Sequence, residues 1–198
     1  MYDLINQFAQ TVVGTIPPEH VTDYEWLLRN VRQASTSDYQ KKYRRFWAMN
    51  AAQLSPAFYT TYFSTLATAM SHSPTLGSVA HTLHAASARL SGQKSLQFSF
   101  ATKLLHMANP HSPIYDSQVA ALYFFQEPST VLQQRINGLV AFHCFLTQEY
   151  ARVLEPFLPQ VRLRVARSWA QTRALRSGDG LAAKERCPRQ DASFFDFD

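Results

Sequence analysis

Lys103 and Asp116 are the residues of this chain whose types and spacing most directly suggest chemistry. Lys103 lies in the apolar stretch from Ser95 to Phe125 and is the only charged residue between Lys94 and Asp116. Burying an ammonium is costly unless it is paired or neutral. A free lysine titrates near ~10.4, so roughly one in a few thousand is neutral at pH 7. Desolvation by neighbours such as Phe98, Phe100 and Leu104 lowers that value and frees a nucleophilic lone pair. An ionised Asp116 opposes the shift, so the distance between the two groups is decisive. A second reading fits the same spacing. Asp116 then only caps a helix, its carboxylate at the positive end of the dipole, and Lys103 only carries its amine out to solvent.

Around this pair, His106 follows Lys103 by about one turn, and Phe100 and Tyr115 complete the candidate pocket residues. A basic, aromatic segment runs from Tyr39 to Asn50. Its Lys41, Lys42, Arg44 and Arg45, with Lys94 further on, are candidate phosphate contacts, while Tyr43, Phe46 and Trp47 can pack or stack. An amphipathic helix with an aromatic core face explains the same segment without nucleic acid. Arg162, Arg164, Arg167, Arg173 and Arg176 form a second basic stretch, equally compatible with a solvated face. His81 and His84 are one turn apart but have no carboxylate near them in sequence, so neither a metal nor another cofactor is expected. His143 and Cys144, on an apolar helix, read as core residues. Two cysteines in unlike contexts make neither a disulfide framework nor a four-cysteine cluster.

The elements that must position these residues read as helices almost throughout. Apolar residues recur at helical period in Met1–Thr15, then in Glu19–Ala34 after Pro17-Pro18. Ser37 or Asp38 caps a helix reaching about Leu54. Ser55-Pro56 opens another to about His72, and Leu76–Leu90 follows. The lysine helix spans about Ser95 to Asn109, where Pro110 and Pro113 forbid continuation. That reversal can return the chain so that Asp116 starts the next helix, to about Gln126, beside Lys103. Ser129–Leu154 is long and apolar on one side, and Gln160–Arg176 closes the helical part.

Composition agrees with an all-α chain. Only six glycines and few β-branched runs argue against a sheet protein. The 198 residues suffice for one well-cored domain, expected over residues 1–177, with a flexible acidic and aromatic tail over 178–198. Residues 1–176 carry 16 Lys/Arg against 9 Asp/Glu, and the remainder 3 against 5. A basic body of this kind suits a polyanion. No apolar run is long enough for a membrane span, and the start MYDLINQFAQ lacks signal-peptide features, so a soluble, cytoplasmic chain is expected, a nucleoid-associated monomer where its basic body meets DNA.

The pattern SFATKLLH, then NP, then PIYDSQV resembles the catalytic segment of the helix-hairpin-helix DNA glycosylase superfamily, in particular the small bacterial branch with the 8-oxoguanine DNA glycosylase fold. Thr102-Lys103 matches the family's Thr-Lys step, and Pro113-Ile114-Tyr115-Asp116 approximates the step that delivers an aspartate at the next helix start. The resemblance spans about residues 95–125. It implies a single helical domain with a cleft between helical layers, a lysine that attacks the sugar and an aspartate that stabilises the resulting charge. The implied partner is double-stranded DNA holding a damaged or modified base, with no cofactor. The small bacterial setting implies either genome repair or defence against hypermodified phage DNA. Two departures stand out. The family's phosphate-holding glycines are missing, since nothing from Gln93 to Ala101 is glycine, and the interval from lysine to aspartate is short. The tail, ending QDASFFDFD, resembles the short tails with which repair proteins grip replication or single-strand-binding partners. Two other classes stay open: a non-catalytic DNA-binding module on the same fold, and a helical protein-interaction domain.

Overall fold

The computed structural model describes residues 14–86, 89–90, 94–127 and 130–152. All of them fall in a compact unit of residues 1–155, and residues 156–198 lie outside the described set. The expected first and last helices, the arginine-rich stretch and the tail therefore lie outside the described residues, apart from Gly14 and Thr15, which are helical.

Among the described residues every regular element is a helix. They are α1 (Pro18–Arg29), α2 (Ser37–Phe46), α3 (Pro56–Ala69), α4 (Leu76–Ala86), α5 (Phe98–Ala108), α6 (Ser117–Leu122) and α7 (residues 132–152). Short 3-10 turns at Val31–Gln33 and Met49–Ala52 link the first three. None of these helices is long and apolar enough to cross a membrane.

The boundaries follow from local chemistry. The helix expected over Glu19–Ala34 stops at Arg29, where Asn30 caps it with its backbone N–H and its side-chain amide both donating to Trp26 O, at 3.0 and 2.8 Å, before the 3-10 turn. The α2 cap is Thr36, its hydroxyl accepting from Tyr39 N, and neither Ser37 nor Asp38, the two expected caps, which both lie in the first turn. That helix ends at Phe46 instead of Leu54, since Ala48 turns left-handed at φ 52°. Ser55 caps α3 as expected, accepting from Phe58 N at 3.2 Å. The helix expected to reach Leu90 ends at Ala86. Arg89 instead forms an isolated antiparallel bridge with Leu54, and Leu90 N donates to Gln53 O. The helix opened by Asp116 closes at Leu122, four residues before Gln126, because Phe124 is left-handed at φ 52°.

α3, α4 and α5 pack on one another, and α1 packs on α2. Their shared core is aromatic at its centre: Tyr39, Tyr43, Phe58 and Tyr62 are fully buried with Leu27, Leu66, Leu83 and Leu104. Burying such side chains contributes ~1.5–3 kcal/mol each. A hydroxyl chain runs through this core. Tyr62 OH donates to the Phe100 carbonyl at 3.1 Å, so Tyr43 OH, 2.7 Å away, donates in turn to Tyr62. Burial raises both phenols well above their usual range, so they stay protonated donors. α7 adds Ile136, Leu139, Phe142, His143 and Leu146 to the core. Cys144, expected inside, is exposed, because it falls on the far side of α7 from that buried stripe.

Candidate active site

Thr102, the residue before the lysine, builds the site. It is fully buried on α5, where its hydroxyl donates to Ser99 O at 2.9 Å and accepts from Tyr115 N at 3.1 Å. That second bond draws the chain back from the Pro110–Pro113 reversal. Asp116 then starts α6, its Oδ1 accepting from Gln118 N and Val119 N, both at 2.9 Å.

Lys103 and Asp116 both line one open cleft of about 430 Å³, within the ~300–1,000 Å³ typical of ligand sites. Phe46, Trp47 and Ala48, at the end of α2, form one wall. Ile114 and Val119 flank Asp116, and Tyr150 of α7 supplies a further wall. The Lys103 amine is half-buried over two ring faces, 5.1 Å from the Phe100 centroid and 5.6 Å from that of Trp47. Among the described residues it forms no hydrogen bond and no direct ion pair, with Asp116 or any other carboxylate. Burial lowers its pKa below the ordinary lysine range, and the Asp116 charge pulls the other way. Burial is the larger influence. The separation between the two groups lets Asp116 act as a field without locking the amine into an ion pair.

The other pocket residues named from sequence sit behind the cleft instead of lining it. Phe100 is buried under the lysine, and Tyr115 packs edge-on against Phe98 and Phe142. His106 Nδ1 lies 2.7 Å from Ser112 O, and a carbonyl can only accept, so this nitrogen carries the proton. Burial lowers the His106 pKa and favours the neutral ring, whose Nε2 then accepts from Tyr24 OH at 2.5 Å. Burial pushes the Tyr24 phenol up to about 12, in keeping with a donor. His143, read as a satisfied core residue, is buried with Nε2 2.8 Å from Pro113 O.

The basic run on α2 is largely engaged within the protein. Lys42 and Arg45 both pair with Asp23, at 2.6 and 3.2 Å. Arg44 stacks its guanidinium 4.9 Å from the Tyr59 centroid, leaving Nε buried without a hydrogen-bond partner. Lys41 and Lys94 are exposed. On α4, His84 is held below the usual histidine range by burial and by the positive Lys94, His81 and Arg135.

Sequence reasoning gave Tyr150 no role at the site and treated Trp47 only as a packing or stacking residue of the basic helix. Tyr150 lines the cleft with an exposed ring, and partial desolvation, with Tyr123 and Asp116 adding, raises its phenol so that it stays protonated. Nothing in a tyrosine 34 residues beyond Asp116 announces this, because only tertiary packing brings α7 to the cleft. Trp47 belongs to the aromatic run noted in the sequence. Its place on the wall depends on the left-handed Ala48, and alanine carries no signal for that conformation. Comparison with known proteins gives no match: no family model, no curated protein and no solved structure matches the chain.

Proposed function

We propose that this chain is a DNA glycosylase that cleaves the N-glycosidic bond of a flipped damaged or hypermodified base, with Lys103 as nucleophile and Asp116 as its electrostatic partner. The observation that carries the reading is that a half-buried lysine with no ion pair and an aspartate share one aromatic-walled cleft. The neutral Lys103 amine attacks the anomeric carbon, and the bond to the base breaks. Its electron pair leaves with the base, which takes up a proton. The new secondary amine loses a proton, and the sugar ring opens as its oxygen is protonated, leaving a Schiff base. Asp116 stabilises the positive charge that develops on the sugar and relays protons. Trp47 and Tyr150 offer flat surfaces to an extruded base, which an enzyme of this class must remove from the stack at a cost of a few kcal/mol. Genome repair and defence against hypermodified phage DNA are both served by this chemistry.

The test is borohydride trapping and base release with a panel of oxidised, alkylated and phage-type modified duplexes. The expected result is a covalent protein–DNA adduct on at least one substrate, lost in Lys103→Gln while DNA affinity is retained. Base release undiminished in Lys103→Gln would overturn the assignment.

A further inference from the structure

The segment from Pro110 to Asp116 has no regular structure of its own, yet it must present a carboxylate at a fixed place. Its internal bonds are few: Ser112 N donates to Asn109 O, and His111 N to the Asn109 side chain. Among the described residues, the hydrogen bonds tying residues 112–115 to the rest of the fold come from three side chains. Thr102 holds the Tyr115 peptide. His106, on α5, donates from Nδ1 to Ser112 O at 2.7 Å. His143, on α7, reaches the next carbonyl, Pro113 O, at 2.8 Å. Two histidines from different helices thus grip successive carbonyls just before Asp116.

Neither imidazole lines the cleft, so neither has a claim to touch a substrate. Each is in a defined state. The His106 ring is sandwiched near Tyr24, with centroids 5.8 Å apart, and stands edge-on to Trp47 at 6.4 Å. His143 is among the buried polar residues of the core. A carbonyl gripped by a buried neutral donor lacks the freedom of one bonded to water, and losing the donor leaves the carbonyl unsatisfied.

The geometry points to His106 and His143 as positioning residues that clamp the 110–116 loop and thereby set the distance between the Asp116 carboxylate and the Lys103 amine. This inference rests on the reading of Asp116 as the electrostatic partner of Lys103. Its test therefore uses a readout that needs no DNA. The chain holds five lysines, few enough for their reductively methylated amines to be resolved by carbon NMR. Asp116→Asn first establishes how far the Lys103 titration falls when the carboxylate charge is removed.

His106→Leu and His143→Leu, which remove the donors, are expected to lower the Lys103 titration in the same direction, by no more than Asp116→Asn does. His106→Asn and His143→Gln place an amide N–H near the lost Nδ1 or Nε2 and are expected to restore it. A folded leucine variant with an unchanged Lys103 titration overturns the clamp. Should the leucine variants fail to fold, the amide variants still decide: a displaced titration in folded His143→Gln or His106→Asn overturns it equally. Base release is measured in parallel. Loss of the glycosylase reading would appear as activity that survives Lys103→Gln, whatever the titrations show.

Discussion

Thr102→Val tests how the site is assembled, because it changes one atom's chemistry at nearly constant shape. Valine fills the volume of threonine but cannot accept from Tyr115 N, now bonded at 3.1 Å. The Ser99 carbonyl loses a supplementary donor, at 2.9 Å, but it lies within α5 and accepts from the helix as well. The main loss is one peptide N–H left buried and unsatisfied, since both Thr102 and Tyr115 are inside. Such a group costs ~1–3 kcal/mol. For a chain of this size each kcal/mol lowers Tm by ~2–4 °C, so the expected fall is roughly 2–12 °C. Thr102→Ser, which keeps the oxygen, should recover most of it. Thermal unfolding followed by circular dichroism measures the shift, and base release should fall with it as the Asp116 loop loosens. A Thr102→Val protein melting within about 1 °C of the native chain would refute the idea that this hydroxyl holds the loop.

Asp116→Asn keeps the cap, because asparagine accepts helix amides about as well, so Tm should hold while base release drops by roughly a hundredfold or more; unchanged release at unchanged Tm would reduce Asp116 to a cap. Acid should destabilise the fold through His106 and His143. Both have folded pKa values lowered by burial, so the unfolded chain binds more protons as pH falls below about 6.5. Stability is then full above that pH and declines below it, and urea titrations at stepped pH should show a shallower decline in His143→Gln. Lys41→Ala should reduce the salt slope of DNA binding by about one, whereas Lys42→Ala, whose amine Asp23 already holds, should change it less; equal slopes for the two variants would contradict the pairing.

Much of the helical plan was legible because helical period and proline breaks are local signals. The return of Asp116 beside Lys103 could also be read, from one lysine in apolar company and two prolines closing its helix. Shorter-range features escaped. Ala48 and Phe124 adopt left-handed backbone that neither residue type favours, so α2 and α6 end sooner than their periodicity indicates. Charge was legible as a sum but not as a surface. Lys42 and Arg45 look like free cations until α1 folds Asp23 against them. Tyr150 and the gripping roles of His106 and His143 depend on α5, α7 and the loop meeting in space, and no spacing along the chain encodes that meeting.

The tyrosine chain through the core has a consequence for how such a site can diversify. Tyr62 anchors the carbonyl of Phe100, and Lys103 lies nearly one turn further along the same helix. At 100° per residue, a roll of α5 by a single position would swing the amine out of the cleft. The hydroxyl bond acts as an index pin that opposes this roll, which would leave the buried Tyr62 hydroxyl without its acceptor. Tyr150 stands on α7 and takes no part in that pin, whereas Trp47 packs on Tyr43 with ring centroids 6.3 Å apart. The Tyr150 wall can therefore be recut for a new ligand while the bearing of the amine is kept, whereas a change at Trp47 also alters the burial that sets the basicity of that amine.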